Sequence, residues 1–317
     1  MSRPVPDGVP AADWPVDARL ARRLLREQFP ELAGLPLRRI GSGWDTVVYR
    51  LGPDLSVRIP RRALGSQLVL TEQRWLPGLA PLLPLPVPVP VRCGQPGPTF
   101  GHPWSICRYV PGRPVVADGL AAGRPPTHSD RTPVAPPEQL ATFLRALHRP
   151  APSDAPVNPA RSVSLEQRDV SVRDALTRVP AGPRPALTRL WQECLTGDTT
   201  YAGPRPWIHG DLHGLNILRS RGRISAIVDF GDLCAGDPAT DLAAAWLVLD
   251  RAGRRRFRRA YAAPDEAAPD EAAPDEMWRR GRGWATLLAI MFLAHSEGDS
   301  HNAAIGHRAL AQLSTPD

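Results

Sequence analysis

Between His209 and Gly231 two short apolar stretches, Ile217-Leu218 and Ile224 to Val228, are separated by a turn at Ser220 to Gly222. Polar groups stand at their outer ends. Asp211 and, five residues on, Asn216 precede the first stretch, and Asp229 closes the second. Two strands joined this tightly pair as a hairpin, which brings Asn216 and Asp229 to one end. A carboxylate left unpaired at the end of an apolar strand is costly to bury, and a metal ion relieves that cost. No other stretch of the chain constrains its fold and chemistry together so closely.

Upstream of this segment the patterns are first polar, then strand-like. Residues 1–16 read as a loose, proline-rich tail, and residues 17–29 repeat apolar positions at helical spacing. Leu35 to Ile40 leads into a turn at Gly41-Ser42-Gly43. Thr46 to Leu51, the turn Gly52-Pro53-Asp54 and Leu55 to Ile59 complete a three-strand meander. Residues 63–76 fit a helix ended by Pro77-Gly78. The prolines of residues 83–91 confine that run to an extended connector or an edge strand, and Trp104 to Val110 reads as a buried strand. Residues 117–137, rich in Gly, Pro and Ala, mark a flexible stretch at a lobe boundary. Helical patterns then dominate, at 138–148, at 186–196, from Asp241 through an arginine cluster, at 278–296 and at 302–313. Three tandem copies of Ala-Ala-Pro-Asp-Glu within residues 262–276 read as a disordered insertion. Antiparallel strands followed by helices give an α+β chain in two lobes, an N-lobe over 17–112 and a C-lobe over 113–317.

All 39 basic residues are arginine, and the net charge is +7. The charge is spread along the chain except at Arg251, Arg254, Arg255, Arg256, Arg258 and Arg259, whose helical spacing reads as a solvated face rather than a nucleic-acid surface. The four cysteines form no C-x-x-C pair and read as reduced, mostly buried thiols. The longest apolar stretch, Trp284 to Ala294, falls far short of the roughly 20 residues of a membrane span, and no apolar signal core opens the chain. The expectation is a soluble, cytoplasmic protein with neither nucleic-acid nor membrane partners. Oligomeric state is not legible.

Phosphoryl transfer asks for a carboxylate to orient or deprotonate the attacking hydroxyl, oxygen ligands for Mg2+, and cations or backbone N–H groups around the phosphates. Asp211, Asn216 and Asp229 supply the first two. The pattern H-G-D-x-x-x-x-N, twelve residues and D-F-G resembles the catalytic core of the aminoglycoside phosphotransferase family. The continuation Gly236-Asp237-Pro238-Ala239-Thr240-Asp241-Leu242-Ala243 matches that family's G-D-P-x-x-D-L-A signature. Residues 43–51 and 57–61 resemble its N-lobe sequences more loosely.

The resemblance, over roughly residues 35–313, implies a bilobal protein-kinase-like fold with an antiparallel-sheet N-lobe and a mainly helical C-lobe. It implies a Mg2+-dependent transfer from ATP or GTP to a small-molecule hydroxyl. Asp211 then matches the catalytic base, and Asn216 and Asp229 the Mg2+ ligands. Arg58 falls where the family places a phosphate-binding basic residue, commonly lysine, with Glu72 its ion-pair partner on the next helix. Gly41, Ser42 and Gly43 fall at the turn over the phosphates, which is shorter than a full G-x-G-x-x-G. Arg108 and Tyr109, within the hinge at Ile106 to Val110, would offer backbone groups to the nucleotide base.

The acceptor stays open between an aminoglycoside, another antibiotic and a non-antibiotic metabolite. An inactive nucleotide-binding module is the rival from a different class. Asp241 also reads as a helix N-cap, and His209 and His213 read as braces of their loop. Trp278, Trp284 and the acidic run Glu297 to Asp299 are candidates for the border of an acceptor pocket.

Overall fold

The computed structural model describes residues 11–115, 136–197, 199–262, 275–296 and 300–315. Most of the Gly/Pro/Ala stretch, nearly all of the Ala-Ala-Pro-Asp-Glu copies and the run Glu297 to Asp299 lie outside these residues. The chain divides into two compact units. One comprises Val9–Pro111 together with Ile227–Asp232, and the other includes Gly112–Ala226 and Leu233 onward.

The first is a sheet unit. Helix α1 (Ala18–Gln28) is capped by the Asp17 side chain, which accepts the Leu20 N–H. Strands β1 (Leu37–Ser42), β2 (Thr46–Leu51), β3 (Leu55–Pro60), β4 (Pro90–Gly94) and β5 (Trp104–Arg108) form an antiparallel sheet in the order β1-β2-β3-β5-β4. The proline-rich run therefore leads into an edge strand, where missing N–H donors cost least. The meander is present, but β1 runs on through Gly41 and Ser42, which pair with Val48 and Val47 after a bulge. The connecting turn falls at Gly43 to Asp45, not at 41–43. Leu24, Leu25, Tyr49, Val57, Ile59, Trp104 and Ile106 form the buried core. Helix α2 (Ala63–Leu79) does not stop at Pro77. A proline so near the C-terminus removes one hydrogen bond, and burial of Leu76 and Leu79 outweighs that loss.

The second unit is mainly helical. Its helices are α3 (Pro137–Leu147), α4 (Asp169–Arg178), α5 (Arg184–Leu195), α6 (Ala239–Leu242), α7 (Ala244–Val248), α8 (Arg251–Ala262), α9 (Asp275–Ala294) and α10 (Ser300–Leu313). The α9 helix is buried along most of its length and packs against α4, α5, α6 and α10. Two small sheets carry the central motif. Strand β7 (Trp207–Ile208) pairs with β10 (Cys234–Ala235), and β6 (Arg113–Pro114), β8 (Ile217–Ser220) and β9 (Arg223–Ile227) pair in that order. The β8–β9 hairpin was expected.

The helix expected to run from Asp241 through the arginines is instead three helices. The chain turns extended at Leu249, and Asp250 restarts it by accepting the Gly253 N–H at 2.7 Å. Nor is the cluster wholly solvated, since Arg254 is buried and hydrogen-bonds to Gln312 at 2.6 Å. Trp278 and Trp284 are buried core residues, Trp278 against Trp246, rather than a pocket border. Among the described residues no helix is long and apolar enough to cross a membrane.

Candidate active site

The loop from His209 to Asn216 leaves β7 through Gly210, whose φ of 82° suits glycine. Its backbone is held by Asp241, the third residue of α6. The two Asp241 oxygens accept the N–H groups of His209 at 2.7 Å and Gly210 at 2.9 Å. Asp241 is thus a buried brace for the loop and not a helix N-cap. His148 Nε2 lies 3.1 Å from the same carboxylate, and His148 Nδ1 lies 2.7 Å from the Tyr261 hydroxyl. Burial alone would push the Asp241 carboxyl up, but its bonds to His148 and the loop N–H hold it below its ordinary range.

Asp211 is bracketed on this loop. Oδ1 accepts from Arg161 Nη2 at 2.8 Å, and Oδ2 meets His213 Nε2 at 3.2 Å. Burial opposes ionisation, yet His213 and Arg161 outweigh it and hold the carboxyl well below the usual carboxylate range. His213 Nδ1 accepts the Leu215 N–H at 3.3 Å. Its Nε2 is thus the ring nitrogen that faces the Asp211 carboxylate. The Asn216 amide nitrogen donates to the Asp211 backbone carbonyl at 2.8 Å. That fixes the amide's orientation, and Asn216 Oδ1 makes no hydrogen bond among the described residues.

The sheet unit builds a second charged cluster. Arg58 on β3, opposite Val48, is buried. Its Nη2 reaches Glu72 on α2 at 3.2 Å and Asp229 at 2.9 Å. Glu72 also accepts the Phe230 N–H at 2.9 Å. Burial pushes the Glu72 carboxyl up to about 7, with Asp229 adding to the rise and Arg58 opposing it. Asp229 takes a left-handed φ of 67°, a strained conformation that Asp tolerates better than most residues. A Cβ on the neighbouring Gly231 would lie 2.8 Å from Leu68 Cβ, so α2 can pack this close only against glycine. Burial also raises the Asp45 carboxyl, with Arg62 opposing and Asp229 and Asp232 adding repulsion.

Sequence reasoning named Arg58, Glu72 and Asp229, and the structure joins them in one network. It also joins Asp211 with Asn216. At the hinge the outcome differs. The Arg108 N–H is spent on the Val89 carbonyl and the Tyr109 N–H on that of Asp54, both at 2.9 Å or less. Neither donor is free for a nucleotide base. Val110 N–H makes no hydrogen bond among the described residues. Arg161 and His148 were not anticipated. Arg161 lies fifty residues before Asp211 in a loop without a motif, so no signal in the sequence pointed to it.

Among the described residues no group of three or more His, Cys, Asp or Glu is placed to hold a metal. Taken singly, an amide oxygen and a carboxylate are both of the type that a hard cation takes. Asn216 Oδ1 has no hydrogen-bond partner among the described residues. Asp229 is 46% exposed, with only Oδ1 engaged by Arg58.

Residues 36–284 match the model of a family described as the phosphotransferase enzyme family. No curated protein matches the sequence. The fold is similar to that of wild-type aminoglycoside 2'-phosphotransferase-IIIa in its GDP complex, with a TM-score of 0.69 and 21% identity over 93% of this chain and 99% of that one. Macrolide 2'-phosphotransferase MphH from Brachybacterium faecium, as apoenzyme, gives a TM-score of 0.58 and 23% identity over 96% and 99%. The streptomycin–ATP complex of APH(2")-IIa gives 0.54 and 16% over 88% and 91%. At such identities the likeness establishes a fold, in agreement with the antiparallel sheet and helical unit described above.

Proposed function

Because the chain belongs to the phosphotransferase enzyme family, we propose that it transfers the γ-phosphoryl group of ATP or GTP to a hydroxyl of a small molecule in a Mg2+-dependent reaction. The observation that carries this reading is Asp211, an ionised carboxylate fixed through both oxygens on a loop that Asp241 clamps. Asp211 accepts the hydrogen bond of the acceptor hydroxyl and aims its oxygen at the phosphorus. A carboxylate held this acidic orients the hydroxyl first. It takes the proton only as the new O–P bond makes that hydroxyl a stronger acid, as a loose transition state allows.

Asn216 and Asp229 are proposed to hold Mg2+, which when bound neutralises charge on the phosphates. Arg58, steadied by Glu72, is assigned to the α- and β-phosphates. Arginine offers a planar fork that pairs with two phosphate oxygens, and a chain without lysine has no other long cation for this position. Gly41 and Gly43 support the phosphate-covering turn. Neither has a positive φ, and a Cβ at Gly41 would meet nothing within 4 Å. The fold itself does not demand glycine there, whereas close approach of a phosphate does. Ser42, the last residue of β1, is assigned to the phosphates beside this turn. At the hinge, the Val110 N–H replaces Arg108 and Tyr109 as the donor assigned to the base. A cytoplasmic location, where ATP and GTP are at hand, is part of the same proposal.

The test is nucleotide-dependent phosphate transfer across aminoglycosides, macrolides and simple hydroxy metabolites, each with and without Mg2+. Transfer to at least one acceptor that disappears in Asp211→Ala supports the reading. Undiminished transfer in that variant contradicts it.

A further inference from the structure

Residues 11–16 read in the sequence as the end of a loose tail, and in the structure they form a strap across the start of α2. The Asp13 N–H donates to the Arg61 carbonyl at 2.9 Å, and Asp13 Oδ2 accepts the Ala63 N–H at 2.7 Å. Arg62, the N-cap residue of α2, makes no capping bond through its side chain among the described residues. A carboxylate fifty residues upstream therefore caps this helix. The Trp14 indole N–H donates to the Pro60 carbonyl at 2.8 Å. Its ring stacks on His102 with centroids 3.7 Å apart, and His102 Nδ1 lies 3.0 Å from the Ser66 hydroxyl on α2. The Tyr49 hydroxyl closes the strap onto the sheet by donating to the Val16 carbonyl at 3.3 Å.

The junction that the strap grips, Pro60 to Ala63, also carries the turn between β1 and β2. The Arg61 N–H donates to the Asp45 carbonyl at 2.8 Å, and the Arg61 guanidinium donates to the Gly43 and Trp44 carbonyls, both at 3.4 Å. Arg62 pairs with the Asp45 carboxylate at 3.0 Å. A Cβ at Gly65 would collide with the Asp45 carbonyl oxygen, so the first turn of α2 lies against this turn with no slack. Further along α2, Glu72 meets Arg58. One short junction thus fixes both the turn assigned to the phosphates and the helix that steadies Arg58. Strap, junction, turn, α2 and Asp229 all belong to the sheet unit.

We propose that Asp13 and Trp14 are positioning residues for the nucleotide, acting through the Pro60 to Ala63 junction on the turn at Gly43 to Asp45 and on α2. This rests on the phosphotransferase reading above and adds to it a segment that sets nucleotide affinity. With the strap seated, the turn and the first turn of α2 are held in place before the nucleotide arrives, and binding has less left to order. With the strap loosened, the α2 start frays, the junction loses its grip on the turn, and the nucleotide must order both. Asp211 belongs to the other unit and shares none of these bonds, so the handling of the acceptor hydroxyl is spared.

The experiment measures the affinity of ATP and GTP, each with Mg2+, by calorimetry on the full chain in wild type, Asp13→Ala, Asp13→Asn and Trp14→Phe. Steady-state kinetics on the same preparations give kcat and the KM of each substrate. Affinity should weaken by about fivefold in Asp13→Ala and stay near wild type in Asp13→Asn, whose amide oxygen still accepts the Ala63 N–H. Trp14→Phe keeps the stack on His102 but loses the indole N–H, and should weaken affinity by about threefold. The kcat and the acceptor KM should stay within about twofold of wild type throughout. A strap that served stability alone would lower the folded fraction, and with it kcat, while nucleotide affinity stayed unmoved. That result overturns the proposal. Coupling is reciprocal, so nucleotide should slow amide exchange at Ala63 in wild type by at least about threefold. Unchanged exchange also overturns the proposal, and this measurement decides alone should the variants fail to fold. If wild type binds neither nucleotide, the phosphotransferase reading falls together with this proposal. Equal affinity in wild type and Asp13→Ala overturns only the latter.

Discussion

The two charged clusters are built on opposite plans. In the helical unit one carboxylate, Asp211, sits between cationic or proton-donating partners, Arg161 and His213, and is kept ionised. In the sheet unit one arginine, Arg58, is shared by two carboxylates, Glu72 and Asp229, one of them buried and pushed towards neutrality. The first cluster stabilises an anion that can hold a hydroxyl. The second sets two carboxylates around a single fixed cation, and a bound divalent cation would offset that negative charge. On the proposed reading, the carboxylate assigned to the hydroxyl and the one assigned to the metal are distinguished by their neighbours, since the residue type is the same in both.

Removing the shared cation is the severest way to break this contrast. Arg58→Met would leave Glu72 buried with no counter-charge, and the expected loss is about 3–5 kcal/mol of unfolding free energy in chemical denaturation. The restoring variant is Arg58→Met with Glu72→Leu, which should recover much of the loss because both charges are then absent. Next comes the brace under the anionic cluster. Asp241→Ala strips two buried N–H groups of their acceptor, at about 1–3 kcal/mol each. Lower stability and a fall in kcat larger than any change in nucleotide KM are expected, measured by thermal unfolding and steady-state kinetics.

The Glu72 carboxyl gives a pH test with a definite sign. Its folded-state value of about 7 stands above the ordinary 4.5. The folded protein holds the extra proton between those values, so the stabilising contribution is full below the lower value and is lost as pH rises through the upper one. Glu72→Gln has no such loss. Its stability relative to wild type should rise by about 2 kcal/mol between roughly pH 5 and pH 8. A difference that stays flat across that range would show that Arg58 keeps Glu72 ionised throughout. The mildest variant is Gly41→Ala. With open space for its Cβ, it should change stability by less than about 0.5 kcal/mol yet weaken nucleotide binding, read by calorimetry.

The contrast also explains what the sequence disclosed. Asp211, Asn216 and Asp229 are legible because each stands at a fixed distance from a short strand, and the strands alternate clearly. The β1–β3 meander is legible for the same reason. The end of α2 was misread because Pro77 is a local signal while burial of Leu76 and Leu79 is a tertiary one. Asp241 was misread because the residues before α6 look like a cap, while its true partners lie some thirty residues upstream. Arg161 was invisible because nothing near it in the chain reports on Asp211. Pairings across long sequence separations are set by the fold, and both misread sites depend on them.

The central claim is that Asp211 handles the acceptor hydroxyl while the Arg58 cluster handles the nucleotide. Asp211→Ala tests it most directly, with phosphate transfer and nucleotide affinity measured on the same preparation. The account predicts a loss of transfer of about a thousandfold with nucleotide affinity changed by less than about threefold. Transfer at the wild-type rate, or a loss of nucleotide binding equal to the loss of transfer, would contradict it.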